Sequence, residues 1–379
     1  MAIKLPEIKL PDIPLLKNRD SIAIDIGTSS IKIACLKAAG NKYSLIKWGI
    51  IPINESGAEL SALDRKNIAV ARLAEFLARE KILTKNIVSS ISGNQVIVRY
   101  VRFPKLSREE LAKTIQFEAE PYIPFDIREV DLSFHILGDV VDEGQKKMET
   151  ILVASKKDAV QGKLDIFNEL NLRTVVIDLD VFAIQNIYEY SNSNSETPAQ
   201  ETVLIINIGA AVTNMAIMEN NVSRVVRDVF ISGNSFTKAI QRNLGCDFKA
   251  AEELKARYSL LVTAEEKERT LSENQKEALQ VSSALTPVAK DFLGEIQRSI
   301  DFYISQNPER IINTVLLCGG SSMIKNLDKF LHQELKIPVE IFSPLKYIAD
   351  SSSVPEAVAP SLAVAVGLAM RRENDIPKK

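Results

Sequence analysis

The sequence predicts an α/β fold that is built in two similar halves and carries an inserted module. Two apolar strands joined by a glycine-containing turn occur at residues 21–36, and the same pattern returns at residues 203–218. Between the halves, residues 95–177 follow the order strand, helix, strand, strand, helix, strand, which is the order of a ferredoxin-like unit. A duplicated hairpin and one insertion therefore define the expected fold.

The first hairpin carries the segment Asp25-Ile-Gly-Thr-Ser-Ser-Ile-Lys32 at its turn. Turn amides and hydroxyl groups can hold phosphate oxygens, a lysine adds positive charge, and an aspartate can hold Mg²⁺ through water. A single hairpin of this kind is more often only a tight turn. Its recurrence in the second half favours a nucleotide held between two phosphate-binding turns.

The second hairpin runs through Asn207, Gly209, Ala210 and Thr213. A third element fits the same plan, because an apolar strand at residues 314–318 ends in a diglycine followed by Ser321 and a predicted helix. Two glycines let a flat ring approach the backbone, and a helix N-terminus favours a phosphate.

Composition excludes several classes of function. With 46% hydrophobic and 25% charged residues, the chain of 379 residues is typical of a globular protein with two or three domains. Its net charge of −2 gives no attraction to nucleic acid or to an anionic membrane. Two histidines make a zinc cluster or a Ser-His-Asp triad improbable, and three distant cysteines indicate free thiols. No signal peptide or membrane-spanning segment is expected.

The three glycine-containing elements, in this order, resemble the actin-like ATPase superfamily. Three further stretches resemble the PilM family of type IV pilus assembly proteins, which are relatives of FtsA: residues 96–104, Phe-Glu-Ala-Glu-Pro-Tyr-Ile-Pro-Phe at 117–125, and Ile-Ser-Gly-Asn-Ser-Phe-Thr at 231–237. The resemblance extends from about residue 20 to residue 372. It implies an actin-like (ribonuclease H-like) fold with an inserted subdomain called 1C.

The resemblance also implies how the chain is divided. The expected units are an extended N-terminal arm at 1–20, subdomain 1A at 21–94 completed by 178–200 and 356–372, subdomain 1C at 95–177, subdomain 2A at 201–233 and 290–355, and subdomain 2B at 234–289. The arm carries three prolines and is either mobile or a docking tail.

By resemblance the cofactors are ATP and Mg²⁺. The phosphate-binding and adenosine-binding residues would be Asp25 (also holding Mg²⁺ through water), Gly27, Thr28, Ser29, Lys32, Asn207, Gly209, Ala210, Thr213, Gly233, Gly319, Gly320 and Ser321. Glu252 and Lys255 resemble the ribose-binding helix, although Glu-x-x-Lys by itself is usually a solvated pair. Gly233 would open the turn that leads into subdomain 2B.

Two positions depart from the family pattern and predict slow or absent hydrolysis. The family commonly has aspartate where Asn207 stands, and a neutral amide holds hydrated Mg²⁺ less strongly and accepts no proton. Asp180 stands where related sequences often have glutamate, and its shorter side chain reaches less far toward an attacking water. Asp180 is therefore only a weak catalytic candidate. Asp178 is expected to cap a helix at residues 178–190.

The resemblance implies a scaffold on the cytoplasmic face of the inner membrane, in a type IV pilus or a related type II secretion machine. Its partner would be the N-terminal peptide of a PilN-like single-pass membrane protein, bound between subdomains 1A and 1C. The candidate peptide-binding residues are Arg99, Val101, Phe103, Tyr122 and Phe125. Membrane contact would occur only through this partner, and self-association stays possible.

Two alternatives stay open. One is an FtsA-like, filament-forming ATPase of cell division or the cytoskeleton, and the other is a sugar kinase of the same superfamily. A kinase needs its own catalytic aspartate in a sugar pocket, and the sequence offers no clear candidate for one.

Overall fold

The computed structural model describes residues 21–142, 144–195 and 201–371. The predicted arm at residues 1–20, together with residues 143, 196–200 and 372–379, lies outside the described residues. The described chain forms two five-stranded sheets and one three-stranded sheet. Its three cysteines are not joined to one another in disulfides, as their number and spacing predict.

The first half and the inserted module occupy the described chain up to residue 195. Their elements are β1 (Ser21–Ile26), β2 (Ser30–Ala39), β3 (Lys42–Pro52), α1 (Ala62–Arg79), β4 (Asn86–Ile91), β5 (Val96–Pro104), α2 (Arg108–Ala119), β6 (Val130–Asp142), β7 (Gln145–Lys156), α3 (Lys157–Glu169), β8 (Arg173–Leu179) and α4 (Asp180–Ser193).

The sheet of the first half has the strand order β3-β2-β1-β4-β8. β1 and β2 form the predicted hairpin, and Asp25 lies opposite Lys32 in its register. β4 and β8 add to it as parallel strands, which requires crossover connections through helices. The amphipathic helix α1 buries Ala69, Leu73 and Phe76 against the sheet.

The inserted module is a three-stranded antiparallel sheet in the order β5-β7-β6, covered by α2. α2 begins at a capping box, in which Ser107 and Glu110 each accept a hydrogen bond from the other's backbone N–H. Its apolar face packs on Val101 and Phe103 of β5. The module therefore has a core of its own.

The module is shorter than the predicted ferredoxin-like order, because α3 and β8 belong to the first half. β8 pairs in parallel with β4. Ile166 and Phe167 of α3 are buried in the same core as Leu73 of α1. A strand-helix-strand pattern does not show which sheet its last strand joins, so the sequence alone could not make this distinction.

The polar segment at residues 138–147 has the composition of a turn, but paired strands occupy most of it. β6 and β7 continue through it as a hairpin, with Asp142 opposite Gln145 at the closed end. Cross-strand hydrogen bonds satisfy the backbone of such a ribbon, so its side chains can be polar where they face solvent.

The second half contains the remaining elements. They are β9 (Thr202–Ile208), β10 (Thr213–Glu219), β11 (Val222–Val229), α5 (Gly233–Leu244), α6 (Phe248–Arg257), α7 (Ala264–Ser272), α8 (Lys276–Ser305), β12 (Thr314–Cys318), α9 (Leu327–Leu335), β13 (Val339–Ile341) and α10 (Ala363–Ala369). The sheet order is β11-β10-β9-β12-β13. Antiparallel β9 and β10 repeat the hairpin of the first half, as predicted.

Two predicted helix starts are displaced. After the diglycine, the chain makes a single 3₁₀ turn at Gly320–Met323, and the α-helix α9 begins only at Leu327. The connecting helix α4 begins at Asp180, so Asp178 does not cap it. Asp178 lies at the end of β8 instead, where Arg371 Nε donates to it over 2.5 Å.

α4 and α10 join the two halves through a shared core. Every residue of α10 is buried, and the cluster around it contains Ala23 of β1 as well as Val203 of β9. The two helices touch at Gly367, where a Cβ would lie 1.8 Å from the carbonyl oxygen of Ala183. Among the described helices, none has the length and apolar character needed to cross a membrane.

Candidate functional site

The turn of the first hairpin is shaped by its glycine and its lysine. Gly27 N–H donates to the carbonyl of Ser30 over 3.2 Å, which closes the turn. Lys32 Nζ lies 3.4 Å from Asp25 Oδ2, and a Cβ on Gly27 would be 2.9 Å from the same ammonium. The predicted carboxylate and cation therefore meet beneath the turn, while Ser29 at its tip is exposed.

The turn of the second hairpin is fixed to the start of α5. Gly233 N–H donates to Gly209 O over 2.9 Å, and Asn234 N–H donates to Ala210 O over 2.8 Å. Thr213 is buried, and its hydroxyl donates to the carbonyl of Ile231 over 2.8 Å. The Thr213 hydroxyl thus holds the turn from within and is not directed to a ligand.

The diglycine element meets the second hairpin. Gly319 has φ +86°, and a Cβ there would lie 2.5 Å from the carbonyl oxygen of Ile208. Ser321 Oγ donates to Gly209 O over 3.3 Å, and a Cβ on Gly233 would lie 2.1 Å from Ser321 Oγ. The nearest neighbour to a Cβ on Gly320 is 4.0 Å away, so this residue leaves an accessible backbone face.

Glu252 and Lys255 form the predicted pair on α6, with 2.5 Å between Lys255 Nζ and Glu252 Oε1. Lys255 is 8% exposed, and its ammonium also donates to Thr237 Oγ1 over 2.7 Å and to Gly233 O over 3.3 Å. Burial lowers the pKa of Lys255, while Glu252 raises it. Lys255 therefore joins α6 to α5, and Glu252 is the more exposed member of the pair.

Asp180 lies at the first turn of α4, in a buried and charged environment. Ser92 Oγ donates to Asp180 Oδ2 over 2.6 Å. Burial raises the pKa of Asp180, the charge of Asp25 raises it further, and nearby serine hydroxyls and Lys163 act in the opposite direction. A buried carboxyl with a raised pKa is a common feature of proton-transfer sites. Asp25 and Asp180, predicted separately, are thus electrostatic neighbours.

Lys163, which is not among the predicted site residues, reaches the first hairpin from α3. Its Nζ donates to the carbonyl oxygen of Ile26 over 2.6 Å, directly before Gly27. The helix position carried no motif that could have identified it. Only the packing of α3 beneath the hairpin brings the lysine to this turn.

A polar chain from the second hairpin to the first half was also missed. Asn207 Nδ2 donates to Asn214 Oδ1, and Asn214 Nδ2 donates to Asp228 Oδ1, each over 2.8 Å. Asp228 Oδ2 accepts a 2.7 Å hydrogen bond from the N–H of Gly93. Burial is the main cause that raises the pKa of Asp228. The only signal in the sequence was polar residues on otherwise apolar strands.

A cavity of about 340 Å³ opens where the first half, the module and the second half meet. Apolar side chains line much of it, including Val98 of β5 and Val226 of β11, and Phe230 lies in the wall with 60% of its surface exposed. Asp180 and Asp228 also reach this wall. The cavity therefore adjoins the polar groups that continue to the two hairpin turns.

The predicted peptide-binding residues separate into three groups. Val101 and Phe103 are 3% and 2% exposed within the core of the module, so their side chains are not available to a peptide, contrary to the expectation from strand alternation. α2 covers this end of the strand face. Arg99 is exposed and lines the cavity. Tyr122 is exposed and packs edge-to-face on Phe103, while Phe125 lies under Lys156 Nζ.

The module is attached to both halves at Ser223. Tyr100 of β5 and Ser223 of β11 share a 2.7 Å hydrogen bond, and Gln185 Nε2 of α4 donates to the same Ser223 Oγ over 2.9 Å. Beside it, Arg224 NH1 donates to Glu149 Oε2 of β7 over 3.1 Å. The three parts of the molecule thus meet through polar contacts.

Comparisons with known proteins agree with this architecture. Residues 23–373 match the family model of the type IV pilus assembly protein PilM. The solved PilM–PilN type IV pilus biogenesis complex aligns with a TM-score of 0.77 at 26% identity, covering 93% of this chain and 98% of that chain. This similarity extends over both halves and the module.

Two further relatives are more distant. MreB 5 of Spiroplasma citri bound to AMPPNP aligns with a TM-score of 0.50 at 12% identity, covering 92% of this chain and 94% of its own, and it supports the actin-like fold alone. Cell division protein FtsA of Neisseria meningitidis serogroup B is 25% identical over 193 residues, which are 46% of this chain and 44% of FtsA. The chain thus matches less than half the length of this curated relative.

Proposed function

The chain belongs to the PilM family of type IV pilus assembly proteins, because residues 23–373 match the model of that family, and we propose that it is an actin-like ATP-binding scaffold. In this proposal it captures the N-terminal cytoplasmic peptide of a PilN-like single-pass membrane protein, and so works at the cytoplasmic face of the inner membrane. The observation that carries the proposal is the similarity to the PilM–PilN complex over 93% of the chain.

The two hairpin turns and the diglycine support ATP as the nucleotide. Lys32 supplies a cation beneath the first turn, and Gly320 leaves a backbone face on which a flat base can lie. Gly209, Gly233 and Ser321 pack closely enough to define the second turn. Thr28 and Ser29 would donate their hydroxyls to phosphate oxygens, as in the phosphate-binding turns of the superfamily.

Mg²⁺ would bind this site only together with the nucleotide. The described residues contain no group of three or more His, Cys, Asp or Glu side chains that could hold a metal ion. Asp25 forms an ion pair with Lys32, and the side chain of Asn207 carries no charge. Asp25 would therefore contact the water shell of an ion whose direct ligands are mainly phosphate oxygens. The ion would neutralise phosphate charge.

Slow hydrolysis follows from the same residues. Asn207 cannot supply a charged metal contact, and its amide is bonded to Asn214. Asp180 has the burial expected of a proton acceptor but a short side chain. We expect ATP–Mg²⁺ to bind with a turnover below about 1 s⁻¹, the lower end of ordinary enzyme rates. Calorimetric titration and a phosphate-release assay test both parts, and turnover above this rate contradicts the second.

The cavity beside Val98 and Phe230 is the proposed peptide site. Apolar walls with Arg99 at the edge suit a short tail that inserts one or two apolar side chains and places a polar group outside. A footprint of this size gives roughly micromolar affinity. The cavity lies near the beginning of the first strand of the module and not at Val101 and Phe103.

Matched phenylalanine variants test the peptide site. Phe230→Glu changes the cavity wall, whereas Phe302→Glu changes a phenylalanine of α8 with nearly the same exposure, 58% against 60%. We expect only Phe230→Glu to lose binding of a synthetic PilN N-terminal peptide, measured by fluorescence anisotropy. Tyr122→Ala separates the alternative site, because loss in that variant with retention in Phe230→Glu would move the peptide to the α2 side of the module.

The partial match to FtsA favours a second candidate, a filament-forming ATPase. Sedimentation of the purified protein with and without ATP decides between the two. A scaffold stays in the supernatant in both conditions, whereas an FtsA-like protein forms pelletable filaments with ATP.

A further inference from the structure

Lys163 occupies a position at the first hairpin that neither the family pattern nor the sequence motifs assigned. It projects from α3, a helix anchored in the first half by the buried residues Ile166 and Phe167. Its ammonium donates to Ile26 O over 2.6 Å, and Ile26 is followed by the Gly27-Thr28 turn. A rigid helix thus holds a cation directly behind the proposed phosphate-binding turn.

The charges around Lys163 are those of the same site. Burial lowers the pKa of Lys163, whereas the carboxylates of Asp25 and Asp180 raise it, and the positive charge of Lys32 lowers it again. An ammonium has three N–H donors, and the contacts between described residues account for one of them, to Ile26. The lysine is therefore able to donate to a further acceptor on the side of the two carboxylates.

A second cation is required by the charge of a bound triphosphate. The second hairpin contributes the neutral side chain of Asn207, which holds hydrated Mg²⁺ less strongly than an aspartate would. Lys32 is already paired with Asp25 over 3.4 Å. The γ-phosphate adds negative charge to a partly buried position, which is unfavourable without a cation close by.

We infer that Lys163 is a further nucleotide-binding residue, which contacts the terminal phosphate of a nucleoside triphosphate between Asp25 and Asp180 and so favours ATP over ADP. The inference rests on the proposed nucleotide site. It assigns a direct contact with the terminal phosphate to a residue of α3, a helix of the first half. Binding of the triphosphate is then linked to the position of α3, the helix that directly follows β7 of the module.

Lys163→Gln is the sharpest test, because glutamine retains a donor for Ile26 O but removes the charge. We expect the dissociation constant for ATP to rise by about tenfold or more, and that for ADP by less than about threefold, as for loss of one charged hydrogen bond to the terminal phosphate. Titration calorimetry with each nucleotide in magnesium buffer measures both values.

Lys157→Gln is the matched control, since Lys157 lies on the same helix and its Nζ donates to Arg128 O over 2.7 Å, away from the hairpin. Neither affinity should change in this variant. Lys163→Met serves as a second variant, and thermal unfolding without nucleotide shows that each variant is folded.

The outcomes separate the inference from the function on which it rests. Equal losses for ATP and ADP would assign Lys163 a purely structural role and overturn the inference. Unchanged affinities in Lys163→Gln and Lys163→Met would overturn it as well. If the wild-type protein binds neither nucleotide, the proposed nucleotide site itself fails.

Discussion

The N–H of Gly93 in the first half donates a 2.7 Å hydrogen bond to the carboxylate of Asp228 in the second half. The other oxygen of Asp228 accepts from Asn214, which in turn is bonded to Asn207 of the second hairpin. A continuous polar chain therefore connects a proposed phosphate-binding strand to the opposite half. Rotation of one half against the other would have to break or rearrange these hydrogen bonds.

The pH dependence of stability tests the protonation of Asp228. Burial raises its pKa in the folded protein, so between the ordinary aspartate value, about 4, and the raised value the folded state binds more protons than the unfolded state. Stability from this residue is therefore present at low pH and falls as pH rises through that window. We expect the melting temperature of the wild type minus that of Asp228→Asn to be higher at pH 5 than at pH 8.

Comparison with the variant isolates Asp228, because Asp180 also has a raised pKa and remains in both proteins. A wild-type advantage that grows with pH would contradict the prediction. Such a result would mean that the hydrogen bonds from Gly93 N–H and Asn214 Nδ2 stabilise the charged carboxylate more than burial destabilises it.

The contact between Gly233 and Ser321 can be tested by rescue. A Cβ on Gly233 would lie 2.1 Å from Ser321 Oγ, so Gly233→Ala is expected to displace the diglycine turn, at a cost of about 1–3 kcal/mol from overpacking. Ser321→Gly removes the clashing atoms. The double variant should regain most of the lost stability in chemical unfolding. Failure of this rescue would indicate that the 3.1 Å approach to Gly209 O is the limiting contact.

Attachment of the module to the second half depends on Tyr100. Burial raises the pKa of Tyr100 to about 12, so the phenol is neutral and hydrogen-bonded to Ser223 throughout the range of physiological pH. Tyr100→Phe is expected to cost about 0.5–1.5 kcal/mol, equally at pH 6 and pH 9. Hydrogen exchange should become faster in β5 and β11. Tyr122→Phe, an exposed tyrosine of the same module, is the control, and an equal effect there would refute the specific role of Tyr100.

The contact between α4 and α10 leaves no room for a methyl group. A Cβ on Gly367 would lie 1.8 Å from the carbonyl oxygen of Ala183, and backbone atoms cannot move aside as a flexible side chain does. We expect Gly367→Ala to destabilise the protein by at least about 3 kcal/mol, at the upper end of overpacking costs. Gly294→Ala in α8, whose Cβ would meet only Arg298 NH1 at 4.0 Å, should be neutral or slightly stabilising. Differential scanning calorimetry of the two variants measures the contrast.

Local pattern was sufficient for the repeated hairpins and for the element types. Alternation of apolar residues around Gly27 and Gly209 predicts strand, turn and strand, and the structure confirms both hairpins. The capping box at Ser107 and Glu110 predicts the start of α2 correctly, because it depends on residues only three positions apart. Family membership also followed from the order of short motifs.

Local pattern did not determine which distant parts of the chain contact one another; the tertiary structure did. Val101 and Phe103 alternate as a ligand-binding face would, but α2 folds over them and makes them core. α3 and β8 match the end of the module in sequence, yet α3 packs in the core of the first half and β8 pairs with β4. The pattern at Lys255 predicts a nucleoside contact, but its ammonium donates hydrogen bonds to Gly233 and Thr237 of α5.

The sequence by itself therefore determined the two-halved fold, the three glycine-containing turns and the family of this protein. These depend on backbone conformation and hydrophobic period, which neighbouring residues specify. Only the tertiary structure brought Lys163 to Ile26, Gly93 to Asp228 and Tyr100 to Ser223. Each of these pairs joins residues more than a hundred positions apart. Their meeting depends on how helices and sheets pack, and no local pattern contains that information.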